Sequence, residues 1–389
     1  MSESNTEINY KEAYEREHEK CADLADKIVV LESEKEDLQF KLDRIKKNKF
    51  WKATGPARSV IHFAQRQKER LSHCGGPKDI LRKIRNKSHQ KSLMESYGTG
   101  SFPDAEQRKK EEETVFPYMP KISILVPLWN NKREFQIQML DCVMNQTYQN
   151  WELCLADGSD AEHAYIEELC KEYAAKSDGR IVYKHLDHNG GISYNTNECY
   201  KLATGDYIGL FDQDDILHPS VLYAYVKEIN EQGADYLYCD ETTFQEDNIN
   251  KMLTMHFKPD YAPDNLRANN YICHFTVIET AFLKELKLRS GFDGAQDYDL
   301  MLRAYAAGGQ FVHVPKVLYH WRCHQNSTAS NPESKMYAFE AGSRAIMAHY
   351  ERMGIPAVKV EKGVDYGIYH TVFKLQAQPL VSVIIPNKD

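Results

Sequence analysis

The chain has 389 residues and a formal charge of −8, enough for one large domain or two ordinary ones. Its 42% hydrophobic content supports a core, yet no apolar run approaches the roughly 20 residues that span a bilayer. The nine cysteines contain no CxxC pair, which argues against a zinc ribbon or a disulfide framework, and the start MSESNTEINY has no secretory character.

Residues 10–47 read as a coiled coil. Cys21, Leu24, Ile28, Leu31, Leu38, Leu42 and Ile45 recur at spacings of three and four, with Lys35 at one core position. Self-association into a homo-oligomer is the expectation. From 41 to 91 there are about 16 Lys/Arg against 3 Asp/Glu, so a strongly basic segment sits in an acidic protein. Charge alone suits lipid headgroups or nucleic acid. Phe50 and Trp51 among the basic residues suit a membrane interface, and no nucleic-acid partner is expected. Residues 72–113 turn polar, with Gly75-Gly76 and Gly98-Thr99-Gly100, and read as mostly linker.

A different pattern begins at Lys121. KISILVPLWN is a short apolar run, hence a buried strand. Residues 133–145 have helical periodicity through Phe135, Ile137, Leu140, Val143 and Met144. WELCLADGSD is a second strand, 161–175 a helix, RIVYKHL a third strand, and 189–202 a helix opening with Gly190-Gly191. YIGLFDQDD and ADYLYCDETTF are further strands. Alternating strands and helices predict an α/β fold with a doubly wound, mostly parallel sheet. The final run Val381–Pro386, VSVIIP, repeats ISILVP at 122–127, which reads as the start of a second, truncated module. The expected organisation is therefore a coiled-coil helix at 1–49, a basic helical and linker segment at 50–118, a main domain at 119–378, and the beginning of the second module at 379–389.

The strand ending in Phe211-Asp212-Gln213-Asp214-Asp215 carries three carboxylates in four residues. Such groups repel one another unless a cation neutralises them. Hard oxygen ligands suit Mg²⁺ or Mn²⁺, which also grip phosphates. A site of this kind belongs at the carboxyl end of a sheet strand. The competing reading is a solvated acidic turn.

Four motifs in this order resemble glycosyltransferase family 2: Pro127-Leu-Trp129-Asn130, Ala156-Asp157-Gly-Ser-Asp160, Asp212-Gln213-Asp214-Asp215, and Gly294-Ala-Gln-Asp297 followed by LYHWRCHQNSTA. CVMNQTYQNWEL, FKPDYAPDNL and NYICHF look similar to the branch that builds bacterial surface polysaccharides. The resemblance implies a GT-A fold and an inverting, metal-dependent transfer of a sugar from a nucleoside-diphosphate donor to a saccharide or lipid-linked saccharide acceptor. It implies a cytoplasmic protein, peripheral at the inner face of the membrane. By the same resemblance, Pro127, Trp129, Asn130, Asp157, Gly190, Gly191, Asn197, Asp212, Gln213 and Arg322 contact the nucleotide. Asp212, Asp214 and His324 hold Mn²⁺ or Mg²⁺, with His320 the competing histidine. Asp297 is the catalytic base, and Asp240, Tyr271, His274 and His320 lie toward the acceptor, with Glu241 and Asn270 beside them. Thr196 stands where many members have Arg, and Gln296 where the residue before the base is usually acidic. Two other enzyme readings are weaker. A nucleotidyltransferase needs a Gly-rich basic loop that PLWNNKREF lacks. A metal-dependent phosphohydrolase leaves Asp297 and HWRCH unexplained. A coiled-coil scaffold bearing an inactive transferase module is the non-enzymatic alternative.

Overall fold

The first strand, β1 (Ile122–Leu128), is buried at every position and lies between two parallel neighbours, β2 (Trp151–Asp157) and β4 (Tyr207–Leu210). A strand covered on both faces needs a continuous apolar run, which ISILVPL supplies. β3 (Ile181–His185) extends this half outward beside β2, also in parallel. The protein is described by a computed structural model over residues 97–324, 336–364 and 367–386. The coiled coil at 10–47 and the basic segment at 41–91 lie outside the described residues.

The second half of the sheet is mixed. β8 (Thr276–Glu279) pairs antiparallel with both β4 and β6 (Tyr236–Gln245). β6 runs parallel to the long β9 (Phe311–Cys323), which also takes up the short β5 (Ile216–Leu217). β7 (Asn248–His256) folds back on β6 as a hairpin, completing nine strands in the order β3-β2-β1-β4-β8-β6-β9-β5, with β7 on the side of β6. The expected doubly wound, mostly parallel sheet is found. The antiparallel β7 is exposed at most positions and has no signal that separates it from a loop of similar polarity, and the four-residue β8 is too short to show an alternating pattern.

Helices cover both faces. Among those given so far only by periodicity, α2 (Arg133–Met144) buries Met139, Leu140 and Val143 in the core cluster that includes β1 and β2 and buries Phe135 against Arg322 and His324, while Ile137 and Met144 are half-buried. α3 (Tyr165–Lys176), α4 (Ile192–Tyr200) and α5 (Val221–Gln232) follow the next strands. Farther on come α6 (Pro263–Leu266), α7 (Thr280–Leu286), α8 (Gln296–Ala306) and α9 (Met336–Arg352), then the two-stranded ribbon of β10 (Ala357–Lys362) and β11 (Tyr369–Phe373).

Part of the segment expected as linker is a helix. Ahead of these elements, α1 (Ala105–Glu113) starts at Asp104, whose carboxylate accepts from Gln107 N at 2.8 Å. Asp-x-x-Gln is a capping signature that composition alone hides. Buried Glu111 accepts from Thr147 Oγ1 at 2.8 Å, and Arg108 Nη2 donates to Asn145 at 3.0 Å, so the segment docks on the sheet domain. At the other end, residues 379–386 form no strand, and Leu380, Val381, Val383, Ile384 and Ile385 are exposed.

Candidate active site

The carboxyl ends of β1, β2 and β4 meet at one edge, and side-chain amides tie their loops together. Gln213 reaches back to Trp129, accepting its N–H at 2.8 Å and donating to its carbonyl at 3.0 Å. Asn131 Nδ2 donates to the Gln213 carbonyl at 2.7 Å. Asn130, in the left-handed region at φ 45°, receives Asp160 N–H and donates to the Asp160 carboxylate at 2.7 Å. Gln213 is thus engaged in holding the Trp129 loop. Trp129 itself keeps 42% of its surface exposed. Asp157 ends β2 almost fully buried, accepting from Ser159 N at 2.9 Å and from Tyr183 Oη at 2.8 Å. A carboxylate has further lone pairs, so these bonds do not exhaust it.

Gly190 and Gly191 enter α4. Gly191 has φ 89°, which disfavours any residue with a Cβ. A Cβ at Gly190 would lie 2.3 Å from the Tyr194 ring. Asn197 does not reach this edge. Its amide is clamped on Leu288, donating to the carbonyl at 2.9 Å and accepting from the N–H at 3.3 Å. These two bonds hold α4 to the chain before α8. Thr196, one residue earlier, faces the main cleft.

That cleft holds about 360 Å³ and is lined by Pro127, Asp212, His274 and Asp297, with Thr196, Asn270, Cys273 and Trp321. Asp212 comes from the end of β4, and Asp297 from the first turn of α8. Tyr298 anchors that turn by donating from its buried hydroxyl to the Leu266 carbonyl. Asp299 is unavailable, being buried in ion pairs with Arg289 and with Arg303 Nε at 2.9 Å.

The acidic cluster divides in two. Asp214 faces His324, with Oδ2 and Nε2 2.8 Å apart. Asp212 Oδ2 lies 3.5 Å from His274 Nε2, and Asp212, Asp215 and His274 present ligand atoms within 4.8 Å of one another. Asp215 is buried and accepts from Tyr319 Oη at 2.5 Å and from Arg322 N at 2.7 Å. Burial, then the charges of Asp214 and Asp212, hold its carboxyl well above the usual range. Burial opposes charge on His274. Contacts with Cys273, Asp212 and Glu241 outweigh it and keep the imidazole well above its ordinary value. Glu241 is itself depressed: burial acts against its charge, but Lys258 at 2.8 Å, His256 and His274 prevail. Carboxylates that compete for protons and neighbouring imidazoles form a donor set that fits a hard divalent cation. His274, expected toward the acceptor, stands against these carboxylates.

Four further residues expected at the site do not line the cleft. Arg322 is fully buried, its guanidinium between the Phe135 ring at 4.1 Å and the Phe244 ring at 4.6 Å. Its N–H groups go to the Asp214 and Glu246 carbonyls and to Gln138 Oε1 at 2.7 Å, so it braces the acidic loop and does not face a diphosphate. His320 is buried in the core, with Nδ1 3.0 Å from Thr242 Oγ1 and its ring stacked on His218. That leaves His324 as the histidine of this strand beside Asp214. Asp240 binds Lys258 N at 2.8 Å and His313 Nε2 at 3.0 Å and lines a separate cavity. Tyr271 Oη accepts from Ala262 N at 2.9 Å and packs on Tyr238, outside the cleft lining. Cys273 and Trp321 are among the cleft residues that sequence reasoning missed. Trp321 sits inside the HWRCH run, where strand alternation was the available signal.

Arg322→Ala is expected to cost about 3 kcal/mol, because it opens space between two rings and strips donors from three partly buried acceptors. Urea unfolding measures this. Unchanged stability with lost nucleotide affinity would return Arg322 to the ligand.

The buried histidines predict acid sensitivity. Burial lowers His218; burial and then His218 push His320 down to about 3; burial and then Arg267 push His349 down to about 4. Unfolded imidazoles titrate near 6.5. The unfolded chain therefore takes up protons first, and the stabilisation present above about pH 6.5 is lost as pH falls toward 4 and 3. Urea midpoints measured at pH 7.5 and 5 should differ, and His320→Leu should shrink the difference. Equal midpoints would contradict the assignment.

The glycosyl transferase family 2 model matches residues 123–289. Uncharacterized protein y4gI of Sinorhizobium fredii is 37% identical over 274 residues, 69% of this chain and 30% of that protein. The O-antigen biosynthesis protein RfbC of Myxococcus xanthus is 33% identical over 274 residues, 69% of this chain and 21% of that protein. The chain spans less than a third of the length of these two relatives. A putative colanic acid biosynthesis glycosyl transferase of Escherichia coli, WcaA, is 30% identical over 196 residues, 49% of this chain and 68% of that one. Among solved structures, S. aureus TarS 1-349 in complex with UDP-GlcNAc aligns with a TM-score of 0.46 at 19% identity, covering 59% of this chain and 66% of that chain.

Proposed function

Because the chain belongs to glycosyl transferase family 2, we propose that it transfers a sugar from a nucleoside-diphosphate donor to a saccharide acceptor, with inversion, in the synthesis of a cell-surface polysaccharide. The carrying observation is one cleft with Asp212 at the end of β4 and Asp297 at the start of α8. The names of the relatives in O-antigen and colanic acid biosynthesis support the pathway class.

In this reading Trp129, Asn130, Pro127 and Asp157 hold the nucleoside. The Gly190-Gly191 backbone allows close approach of the ligand. Asp212, with Asp215 and His274 presenting ligand atoms beside it, would hold Mn²⁺ or Mg²⁺, and the Asp214–His324 pair would join that donor set by turning toward the same cation. When bound, the cation supplies Lewis-acid neutralisation of the diphosphate leaving group. Asp297 accepts the proton of the acceptor hydroxyl as that oxygen attacks the anomeric carbon from the face opposite the diphosphate. A single displacement of this kind inverts configuration. The acceptor would be lipid-linked, reached by docking of the basic segment on an anionic membrane. The charge of that segment supports this.

A panel of UDP-, GDP- and dTDP-sugars, incubated with and without Mn²⁺, tests the reading. Metal-dependent release of a nucleoside diphosphate is expected for at least one donor. No release and no calorimetric binding across the panel would overturn it.

A further inference from the structure

Two donors grip one oxygen of Asp297. Asn270 Nδ2 donates to Oδ2 at 2.9 Å, and the Cys273 thiol points at the same oxygen from 3.7 Å. Among the described residues, Oδ1 has no side-chain partner. A carboxylate only accepts hydrogen bonds, so the Asn270 amide must turn its nitrogen toward Asp297. That choice leaves Asn270 Oδ1 buried with no donor among the described residues.

A buried acceptor without a partner lowers stability. Stability alone would favour an apolar side chain of similar size at 270. The segment carrying Asn270 is also firmly held. Ala268 O accepts from Tyr369 N at 2.8 Å, Asn269 N donates to Asn265 O at 2.9 Å, and Asn269 forms an isolated bridge with Ile368. Asn270 is thus a rigidly mounted donor aimed at one carboxylate oxygen, kept at the expense of its own acceptor. Unsatisfied buried groups of this kind call for a functional explanation.

We propose that Asn270 is a positioning residue for Asp297: its amide pins Oδ2 so that Oδ1 is turned to the acceptor hydroxyl, with Cys273 as a weaker second donor. The proposal rests on the reading of Asp297 as the base. Asn270 touches neither donor nor acceptor in this scheme. It acts by fixing the carboxylate and by favouring its charged form, since a hydrogen bond to the ionised state stabilises that state.

The test compares wild type with Asn270→Leu by three measurements. Thermal unfolding reports the fold. Hydrolysis of whichever nucleotide sugar the wild type turns over with Mn²⁺, water serving as acceptor, reports kcat and KM. A ¹³C-carboxylate titration, with the Asp297 signal identified by its loss in Asp297→Asn, reports the pinned group directly. The leucine variant should unfold at the same temperature or higher. Its kcat should fall roughly tenfold or more while donor KM stays within about twofold. The Asp297 titration should move up in the variant, because the lost hydrogen bond favours the ionised carboxylate. An unmoved titration in a folded variant overturns the proposal. Should the leucine variant fail to fold, Asn270→Ala serves the same comparison. If the titration moves yet Asp297→Asn keeps wild-type turnover, Asn270 does position Asp297 and it is the base reading that falls.

Discussion

Asp297→Asn is expected to lower turnover by roughly 10²- to 10⁴-fold, the usual contribution of a positioned general base. The substitution is nearly isosteric, so the first turn of α8, anchored by Tyr298, should keep its place. Donor affinity should barely change, because Asp297 acts on the acceptor proton and stands apart from the Asp214–His324 pair. A fall in kcat with unchanged donor binding is the signature of an interaction made in the transition state alone. Single-turnover kinetics with a donor identified from the nucleotide-sugar panel would measure it. Near-wild-type turnover would remove Asp297 from the chemistry.

The second large effect concerns the acidic loop. Asp214→Asn, or chelation of divalent cations, should weaken nucleoside-diphosphate binding by more than the roughly 10- to 100-fold typical of losing an outer-shell metal partner. Asp214 is partly open to solvent and is paired with His324 at 2.8 Å, so it can exchange that partner for a cation. Its removal also lessens the repulsion on Asp215. The apo variant should therefore unfold no more easily than wild type even as binding is lost. Calorimetry with UDP and GDP, in Mn²⁺ and in chelator, measures the change. Equal affinity in the two conditions would dismiss the metal.

Both predictions concern residues that could be picked out before the fold was known. Asp212 and Asp214 follow an apolar run, and a strand that ends in clustered carboxylates has few structural uses. Asp297 stood out only through the company of other motifs, since an aspartate in the first turn of a helix is ordinary. Asn270 was noticed near the acceptor. Its bond to Asp297 was not legible, because 27 residues separate the two.

The HWRCH run shows why the rest was harder. His320 and Arg322 share one face of β9 by the two-residue period of a strand, and His324 continues that spacing just beyond its end. Depth along that strand then decides their chemistry. His320 is enclosed by His218 and Thr242, Arg322 is sandwiched by Phe135 and Phe244, and His324 just past the strand end meets Asp214. The opposite face turns Trp321 into the cleft and stacks Tyr319 on His274.

By itself, then, the sequence determined the parallel half of the sheet, its helices and the acidic strand end. Those depend on local apolar runs, on periodicity and on charge crowding, all properties of neighbouring residues. Only the tertiary structure decided which polar side chains face the cleft and which brace it. Arg322, His320, Asp240, Tyr271 and Asn197 were all chemically suited to ligand contact, and each is instead engaged with distant backbone or side-chain groups. Burial and hydrogen-bond partnership are set by segments far apart in the chain, and no local pattern encodes them.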